Sequence, residues 1–481
     1  MAALLTDRFR VVLAENFRSR VQLGESASLL SAFTAGGGDP TEFPIDLWLF
    51  FARSDSWSSG IPDPLDNQEG NFNIYDQMLG LKKVESSSIR GVIRNQTWSS
   101  GTVYDIYRHD YGSSYTDANN VSRLVLGRRS ESKLYETKFY VVTSEFKVYK
   151  CLSNNNGANS IEEPTSTSSA PFTTASDGYL WKYMYSVSAS DFEKFKTDDY
   201  IPIPLQSQLV PGNEINPSSN FGGSIYNVVV EAKGLGYTID DLFTVEGDGS
   251  DAQIQVSSVG VNGEINAVKV INPGQSYTYG ELVPVTGQNS GSNAQIQAIF
   301  SPKEGIAKDI GLELGAYRLG LNAKLNSADF PFENDFSVVG LIYNPIISDD
   351  ATSIAIGTYR MKLQAALSQD PANDSLISSA DNGASGKLIE YKVIDSVPYI
   401  WFTQENILNE GLNSANEKVS FIPGAQITVG GTISGNISND SDAISQPQIT
   451  RGSGEIIYID NRDPISRAAD QSEDFKIILE F

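Results

Sequence analysis

The chain has 481 residues, with 59 acidic and 35 basic side chains, and a formal net charge of −24 at pH 7. This length exceeds what one hydrophobic core usually serves, so we expect two or three domains. Nucleic-acid backbones are bound by clustered Lys and Arg, so the acidic excess argues against a nucleic-acid partner. The basic exception is the pair Arg128 and Arg129, and two arginines in a polar stretch are typical of solvated surface.

Targeting signals are not evident in the sequence. The first ten residues contain Asp7, Arg8 and Arg10, so they lack the uninterrupted apolar core of a secretion signal. No later stretch approaches the apolar length that crosses a membrane. Cys151 is the single cysteine and has no partner for an internal disulfide, which fits a reducing compartment. We therefore expect a soluble, unexported chain without a membrane partner, in which Cys151 is a buried apolar side chain rather than a reactive thiol.

Few helices are predicted, and the first lies at residues 4–21. The apolar residues that recur there at helical spacing, and so predict one face of an amphipathic helix, are Leu5, Phe9, Val12, Leu13 and Phe17. Residues 73–81 are expected to form one or two short turns. In residues 188–195, Ser190 precedes Glu193 at the spacing of a capping box, and the Ile-Pro-Ile-Pro run that follows should end this helix.

The rest of the chain consists of short runs rich in Val, Ile, Tyr and Thr, separated by Gly, Asn, Asp and Pro. Such runs predict strands, as in KFYVVTSEFKVYKCL, GYLWKYMYSV, NVVVEA and EIIYIDN. Turn residues at such even intervals favour antiparallel sandwiches or barrels over a parallel sheet with crossover helices. The predicted fold class is mainly β, with several antiparallel β-sandwich or barrel-like domains and a few short helices.

One segment of the chain is duplicated. Residues 228–256 align with residues 268–298, first at an offset of 40 residues and then, after a two-residue insertion, at 42. The matched pairs are Tyr237 with Tyr277, Leu242 with Leu282, Val245 with Val285, and Gly247 with Gly287. Two units are too few for a solenoid, so we predict a compact duplicated β unit. The polar stretches NPSSNFGGS before it and SPKEG after it read as linkers.

No catalytic, cofactor-binding or metal-ligating residue is predicted, and no cofactor. His109 is the only histidine, and a loop histidine is favoured over a base oriented by Asp110, because adjacent residues usually point apart. GASGKL at 383–388 lacks the Ser or Thr of a phosphate-binding loop. The acidic runs at 246–252 and 348–351 do not fit the spacing of a calcium loop, so turn residues are favoured there.

RSDSWSSG at residues 53–60 leaves two functional readings open. Arg53, Asp55 and Ser56 beside Trp57 could form a nucleophile with a carboxylate, or a stacking platform for a sugar or a base. Four tryptophans fall in the first two hundred residues, where they could anchor cores or partner interfaces, and core positions are favoured. They are Trp48, Trp57, Trp98 and Trp181.

Several motifs, in this order, resemble one family. They are RSDSWSS, VIRNQTW, FKVYKCL, DGYLWKYMY, YRLGLNAKLNSADFPFENDFSVVGLIYNPI and the terminal SGEIIYIDNRDPISRAADQSEDFKIILEF. Together they resemble the dimeric baseplate wedge protein of T-even-type contractile-tailed bacteriophages, which are myoviruses. The resemblance covers about residues 4–205 and 316–481, and the terminal motif is its most specific part. The duplicated segment departs from the family pattern, so we predict an N-terminal region 1–205, an inserted module 206–315 and a C-terminal region 316–481.

The resemblance implies a structural protein rather than an enzyme. Members form homodimers within each wedge and contact other wedge proteins, and wedges join into a sixfold baseplate that triggers sheath contraction. The expected location is the virion tail, with assembly in the host bacterial cytoplasm. RSDSWSSG would then be a strand-to-loop corner, with Trp57 packed and Ser58 or Ser59 making turn hydrogen bonds.

A second class of function stays open at this point. Because β architecture, acidity and aromatic side chains also suit glycans, the alternative is a tail-associated carbohydrate-binding or glycan-hydrolysing protein. The inserted module is where a binding activity of that kind would reside.

Overall fold

The computed structural model describes residues 4–25, 44–116, 121–205, 222–302, 305–404, 417–468 and 470–481, together with residues 31 and 34. The chain forms two compact units. The first contains Met1–Asn16, Arg90–Gly320 and Ile478–Phe481, and the second contains Phe17–Ile89 and Leu321–Ile477. Each unit is therefore assembled from segments that are distant in sequence. The division at 1–205, 206–315 and 316–481 follows chain order instead, and it stays a prediction.

Strands dominate the described residues, and they form several antiparallel sheets, so the predicted mainly β fold is confirmed. The helices with described bounds are α1 (Asp7–Glu25), α2 (Gln68–Gln77), α3 (Ala189–Phe195) and α4 (Ile310–Leu314). The strands before residue 206 are β1 (Leu47–Ala52), β2 (Met78–Lys83), β3 (Ile89–Arg94), β4 (Ser114–Thr116), β5 (Ser122–Leu124), β6 (Tyr140–Val142), β7 (Lys147–Ser153), β8 (Phe172–Thr173), β9 (Leu180–Ser186) and β10 (Tyr200–Pro202). Those in the duplicated segment are β11 (Ile225–Leu235), β12 (Leu242–Gly247), β13 (Ser250–Val259), β14 (Ile265–Gln275), β15 (Gly280–Pro284) and β16 (Ser292–Phe300). The remainder are β17 (Arg318–Asn326), β18 (Phe336–Tyr343), β19 (Ile354–Ile356), β20 (Tyr359–Lys362), β21 (Leu376–Ser379), β22 (Ser385–Ile394), β23 (Val397–Thr403), β24 (Gln426–Val429), β25 (Ile433–Asn436), β26 (Ile444–Ser445), β27 (Glu455–Ile465) and β28 (Ser472–Glu480).

A five-stranded antiparallel sheet in the second unit has the order β19-β2-β1-β18-β27. Its central strand β1, LWLFFA, is buried at every residue, which accounts for its uninterrupted apolar sequence. Phe50 of β1 pairs with Gly340 of β18, where a Cβ would lie only 2.3 Å from the Phe50 ring. The glycine therefore makes room for the aromatic ring across the sheet.

A seven-stranded antiparallel sheet in the same unit has the order β25-β24-β21-β22-β23-β20-β26. In β24 buried residues alternate with more accessible ones, as expected of a strand with one face on a core. That core includes Met361, Ile400 and Phe402. The hairpin between β22 and β23 turns at Asp395 and Ser396, whose φ angles of 48° and 68° suit the tight turn that matches strand twist.

The first unit contains a four-stranded antiparallel sheet in the order β6-β7-β9-β8, built from strands predicted by KFYVVTSEFKVYKCL and GYLWKYMYSV. Aromatic side chains fill its core, where Trp181 stacks on Tyr179 with ring centroids 5.3 Å apart. Trp48 in the second unit is also buried, so both tryptophans occupy core positions. How the sheets pack as sandwiches or barrels stays a prediction.

The duplicated segment folds as three strands from each repeat. β11 pairs with β16, β13 pairs with β14, and β12 pairs with β15, so every strand of the first repeat has a partner in the second. The two repeats therefore pair their strands with each other and do not stack as separate units. Because of this pairing, side chains of both repeats form one shared core.

The predicted helix at residues 4–21 is confirmed as α1, but most of its predicted apolar face is exposed, and of the five predicted residues only Phe17 is partly buried. Leu5, Phe9, Val12 and Leu13 are exposed. The buried apolar residues of α1 are Val11, Ala14, Val21 and Leu23. The periodicity predicted the helix correctly. The face that packs against the protein is a narrower, less apolar one, because Val11 on that face contacts the core around α4.

The predicted start of α3 is wrong by two residues. Ser188, not Ser190, is the N-cap, and its Oγ accepts a hydrogen bond from the Asp191 N–H at 3.1 Å. The helix ends at Phe195, well before the prolines. The predicted turns at 73–81 are the end of α2 followed by strand β2.

Candidate functional sites

RSDSWSSG forms the corner that follows β1. Arg53 has a φ of 59°, in the left-handed region, and its guanidinium lies 4.2 Å from the centroid of the Trp57 ring. The Trp57 indole Nε1 donates a hydrogen bond to the Arg462 carbonyl at 2.8 Å, and the ring packs against the core of the five-stranded sheet. The indole is therefore engaged by its own chain, as expected of a corner rather than of an open stacking platform.

The polar side chains of this corner make structural contacts. Asp55 accepts a 2.7 Å salt bridge from Lys387, the lysine of GASGKL, so two sequence candidates meet as one ion pair. Ser54 donates to the Asp374 carboxylate, and Ser337 donates to the Asp55 carbonyl at 2.9 Å. Ser54 and Ser337 thus supply hydrogen bonds at this corner, in place of the predicted Ser58 or Ser59. Asp55 and Ser56 both lie in the described chain, and no hydrogen bond joins their side chains, because the Asp55 carboxylate is bound by Lys387.

His109 lies in a turn and is hydrogen-bonded to the last residue of strand β16. Its Nδ1 accepts from the Phe300 N–H at 3.3 Å, and burial lowers the pKa of the imidazole. Asp110 is held by Arg108 through two 2.9 Å hydrogen bonds and does not orient the histidine. Arg108 also bonds Glu231 of β11 at 2.9 Å. This cluster therefore joins the duplicated module to the rest of the first unit.

Two lysines that were not predicted as special from the sequence are enclosed in the first unit. Lys150 on β7 and Lys182 on β9 are direct cross-strand partners, and both are buried. Lys150 Nζ lies 2.8 Å from Glu313 of α4 and 3.8 Å from the centroid of the Tyr107 ring. Lys182 donates to the Ser169 carbonyl at 2.7 Å. The available sequence signal was a lysine next to an aromatic residue within a predicted strand, in KVYKCL and LWKYMY.

Burial shifts the acidity of these enclosed groups. It lowers the pKa of Lys150 and raises that of Glu313, although their mutual attraction opposes both shifts. Burial, assisted by the neighbouring Lys150 charge, lowers the pKa of Lys182 to about 8. Burial also raises the pKa of the Cys151 thiol, and Cys151 is fully enclosed, so this thiol is a packing residue.

The matched tyrosines of the duplicated module make reciprocal contacts. Tyr237 of the first repeat accepts a hydrogen bond from Ala294 N–H of the second at 3.3 Å. Tyr277 of the second repeat accepts one from Ala252 N–H of the first at 3.4 Å. Both rings are buried, so each repeat completes the core of the other.

The clustered carboxylates act as turn acceptors. Asp248 accepts from the Thr278 N–H at 2.8 Å and from the Tyr279 N–H at 3.2 Å. Asp350 accepts from Gln448 at 3.0 Å. Within the described ranges no group of three or more His, Cys, Asp or Glu side chains could hold a metal ion.

The residues of strand β27 and those that follow it, up to Ile477, are integral to the second unit. β27 pairs with β18 at the edge of the five-stranded sheet. Arg467 Nε lies 3.5 Å from Glu473, and both side chains are almost completely enclosed. Arg467 also donates to the Asn326 carbonyl at 3.0 Å and lies over the Phe330 ring. Burial lowers the pKa of Arg467 and raises that of Glu473.

Comparison with protein families concerns this same C-terminal part. Residues 410–481 match the family model described as bacteriophage T4 Gp8. The match includes β24 to β28 and the terminal motif, and it supports a T4-type baseplate wedge protein over this part of the chain. No curated protein matches the chain. In the described parts of the chain, none of the helices has the length and apolar character needed to cross a bilayer.

Proposed function

We propose that this chain is a structural subunit of a phage tail baseplate wedge. It forms homodimers and contacts neighbouring wedge proteins to build the sixfold baseplate that triggers sheath contraction. It is assembled in the host bacterial cytoplasm and resides in the virion tail. Its role is to present specific surfaces, and it performs no catalysis.

The match of residues 410–481 to the T4 Gp8 family carries this proposal. The matched strands β24 to β27 are part of the folded second unit. β27 is hydrogen-bonded to β18, and the Arg462 carbonyl accepts a hydrogen bond from Trp57 in the corner after β1. The family likeness therefore concerns a segment built into the sheet, and not a separate tail. Resemblance of residues 4–205 and 316–409 to the same family extends the proposal to those regions.

The candidate polar residues form hydrogen bonds and ion pairs within their own chain, which supports a structural role. Asp55, His109 and Asp248 all bond to their own chain in corners and turns. The net charge of −24 adds long-range repulsion between free copies, and it favours less acidic neighbours during assembly.

The proposal is tested by quantitative mass spectrometry of purified, washed tails from the source phage. We expect this chain at two copies for each wedge, in fixed proportion to the sheath and hub proteins. A trace amount that varies between preparations, or complete absence, would contradict a wedge subunit. The tail of a mutant phage that lacks this chain is the matched control, and it should lack an assembled baseplate.

A further inference from the structure

Three asparagine–glycine steps occur in the chain, at residues 156–157, 262–263 and 382–383, and each lies at a turn. Asparagine is a chemically labile residue. The backbone nitrogen of the following residue can attack the side-chain Cγ, and glycine permits the closest approach because it has no Cβ. The three steps are equivalent as sequence, but the fold places their side chains in different surroundings.

Two of the three asparagine side chains are held by hydrogen bonds. The Asn382 amide donates to the Ser420 carbonyl at 2.8 Å, and its Oδ1 accepts from the Ala384 N–H at 3.2 Å. The Asn262 amide donates to Glu264 Oε1 at 2.9 Å. Cyclisation requires rotation of the side chain and loss of these hydrogen bonds, which slows the reaction in the folded chain.

The Asn156 side chain is not held in this way. It is exposed and makes no hydrogen bond with any described residue. The two asparagines before it are anchored. Asn154 Nδ2 donates to the Tyr104 carbonyl at 2.9 Å, and Asn155 Nδ2 donates to the Asp177 carbonyl at 3.0 Å. The turn is therefore fixed, while Asn156 Cγ stays free to rotate toward the next backbone nitrogen.

The glycine N–H groups do not distinguish the three steps. The Gly157 N–H donates to the carbonyl and to Oδ1 of Asn154, both at 3.1 Å. The N–H groups of Gly263 and Gly383 are hydrogen-bonded as well, at 3.1 Å and 2.9 Å. Release of a backbone hydrogen bond is thus common to all three, and the asparagine side chain makes the difference.

A guanidinium lies beside the step at Asn156. A Cβ built on Gly157 would be 3.8 Å from Nη1 of Arg128, one of the two arginines of the basic pair. The Arg128 side chain forms no ion pair or hydrogen bond with the described residues. Cyclisation passes through a deprotonated backbone nitrogen and an oxyanion on Cγ, and a nearby cation stabilises both. At Gly263 the nearest atoms to the same point are uncharged backbone atoms, and at Gly383 no described atom lies within 4 Å.

We propose that Asn156 is a site of spontaneous intramolecular deamidation, and that Arg128 promotes the reaction. The Gly157 nitrogen gives up its proton and forms a bond to Asn156 Cγ, the Cγ–Nδ2 bond breaks, and ammonia leaves with that proton. Water then opens the cyclic imide at either carbonyl, which gives aspartate or isoaspartate. The net change is the gain of one water and the loss of one ammonia. The product adds one negative charge to the net charge of −24, and this site does not depend on the function proposed above.

Prolonged incubation of the full chain at mildly alkaline pH, followed by peptide mass spectrometry, gives the rate at each step. In the folded chain Asn156 should deamidate at least about tenfold faster than Asn262 or Asn382. In urea the three rates should be similar, because only the shared asparagine–glycine sequence then remains. Equal rates in the folded chain, or a difference that persists in urea, would overturn the proposal.

Isoelectric focusing of matched variants checks the assignment. The acidic form should accumulate in wild type and in N382Q at the same rate, and it should be largely absent from N156Q, since glutamine does not form the five-membered ring. An acidic form that accumulates unchanged in N156Q would place the reaction elsewhere in the chain and reject this site.

Substitution of Arg128 tests the promoting charge. R128Q should slow deamidation at Asn156 by about threefold or more, and R128K, which keeps the charge, should stay closer to wild type. R129Q is the matched control, because Arg129 is also exposed and directly follows Arg128, and it should react like wild type. An unchanged rate in R128Q, or an equal loss in R129Q, would reject the role of Arg128. Circular dichroism checks that every variant is folded.

Discussion

Lys150 Nζ lies 2.8 Å from the carboxylate of Glu313, and both side chains are enclosed in the first unit. Removing two charges from water costs free energy that their attraction only partly offsets. Such a pair is therefore sensitive to the loss of one member, because the remaining charge stays buried without its counter-charge.

Substitution of one member should be much more damaging than substitution of both. We expect E313Q to lower the free energy of unfolding by about 3–5 kcal/mol, the usual effect of breaking a buried pair. The double variant K150M/E313L replaces both charges with apolar side chains of similar volume, and it should recover most of that loss. Urea unfolding followed by tryptophan fluorescence measures both. If E313Q and K150M/E313L lost the same free energy of unfolding, Lys150 and Glu313 would not be energetically coupled.

Lys182 should make stability rise with pH on the alkaline side. Its pKa is lowered to about 8 in the folded chain, while an unfolded lysine titrates near 10.4. Between these values the unfolded state binds more protons, so the free energy of unfolding increases as pH rises. K182M lacks this titration. The difference in stability between wild type and K182M should therefore change between pH 7 and 10, whereas a constant difference would show that Lys182 keeps an ordinary pKa.

Asp177 should produce a loss of stability in acid. Burial alone would raise its pKa, but hydrogen bonds from Thr174, Glu162 N–H and Ile161 N–H lower it overall. Because the folded pKa is below the unfolded value, stability is present above about pH 4 and is lost as pH falls further. D177N should lose about 2 kcal/mol at pH 7, since an amide is a weaker acceptor than a carboxylate. Its stability should then decline less steeply below pH 4 in acid titrations followed by circular dichroism.

The corner at Arg53 should prefer glycine to alanine. The φ of 59° is costly for a residue with a Cβ, and both R53G and R53A remove the guanidinium from Trp57. R53G should therefore be about 1 kcal/mol more stable than R53A. The same two substitutions at Lys324, an exposed residue of β17, should show the opposite order, because glycine weakens an ordinary strand. Thermal unfolding of the four variants gives the comparison.

The reciprocal packing of the repeats should make two glycines equally sensitive. A Cβ at Gly249 would lie 2.4 Å from the Tyr277 ring, and one at Gly291 would lie 2.3 Å from the Tyr237 ring. We expect G249A and G291A to destabilise the module by similar amounts, about 1–3 kcal/mol each. Gly287 has no neighbour within 4 Å, so G287A serves as the control, and it carries only a backbone cost of about 1 kcal/mol from its φ of 77°. Hydrogen exchange in β11 to β16 should be faster in G249A and G291A than in G287A.

Several features could be read from the sequence because they are local. Runs such as KFYVV and EIIYID form strands, and the sequence repeat pairs Tyr237 with Tyr277, which exchange contacts in the fold. Strand propensity and helical periodicity depend on neighbours within a few residues, so a linear pattern contains them. The resemblance in the terminal motif is likewise a property of sequence, and the family match at 410–481 supports it.

Other features required the tertiary structure. Periodicity placed Phe9 and Val12 on one face of α1, but only packing of the rest of the unit decided that this face stays exposed. Lys150 and Glu313 are 163 residues apart, and Asp55 and Lys387 are 332 apart. Such pairs are fixed by strand order and register, which bring distant residues within bonding distance and which no local pattern encodes. The sequence by itself thus determined which elements form, and the tertiary structure decided which of their side chains meet, because burial and pairing are properties of the whole fold.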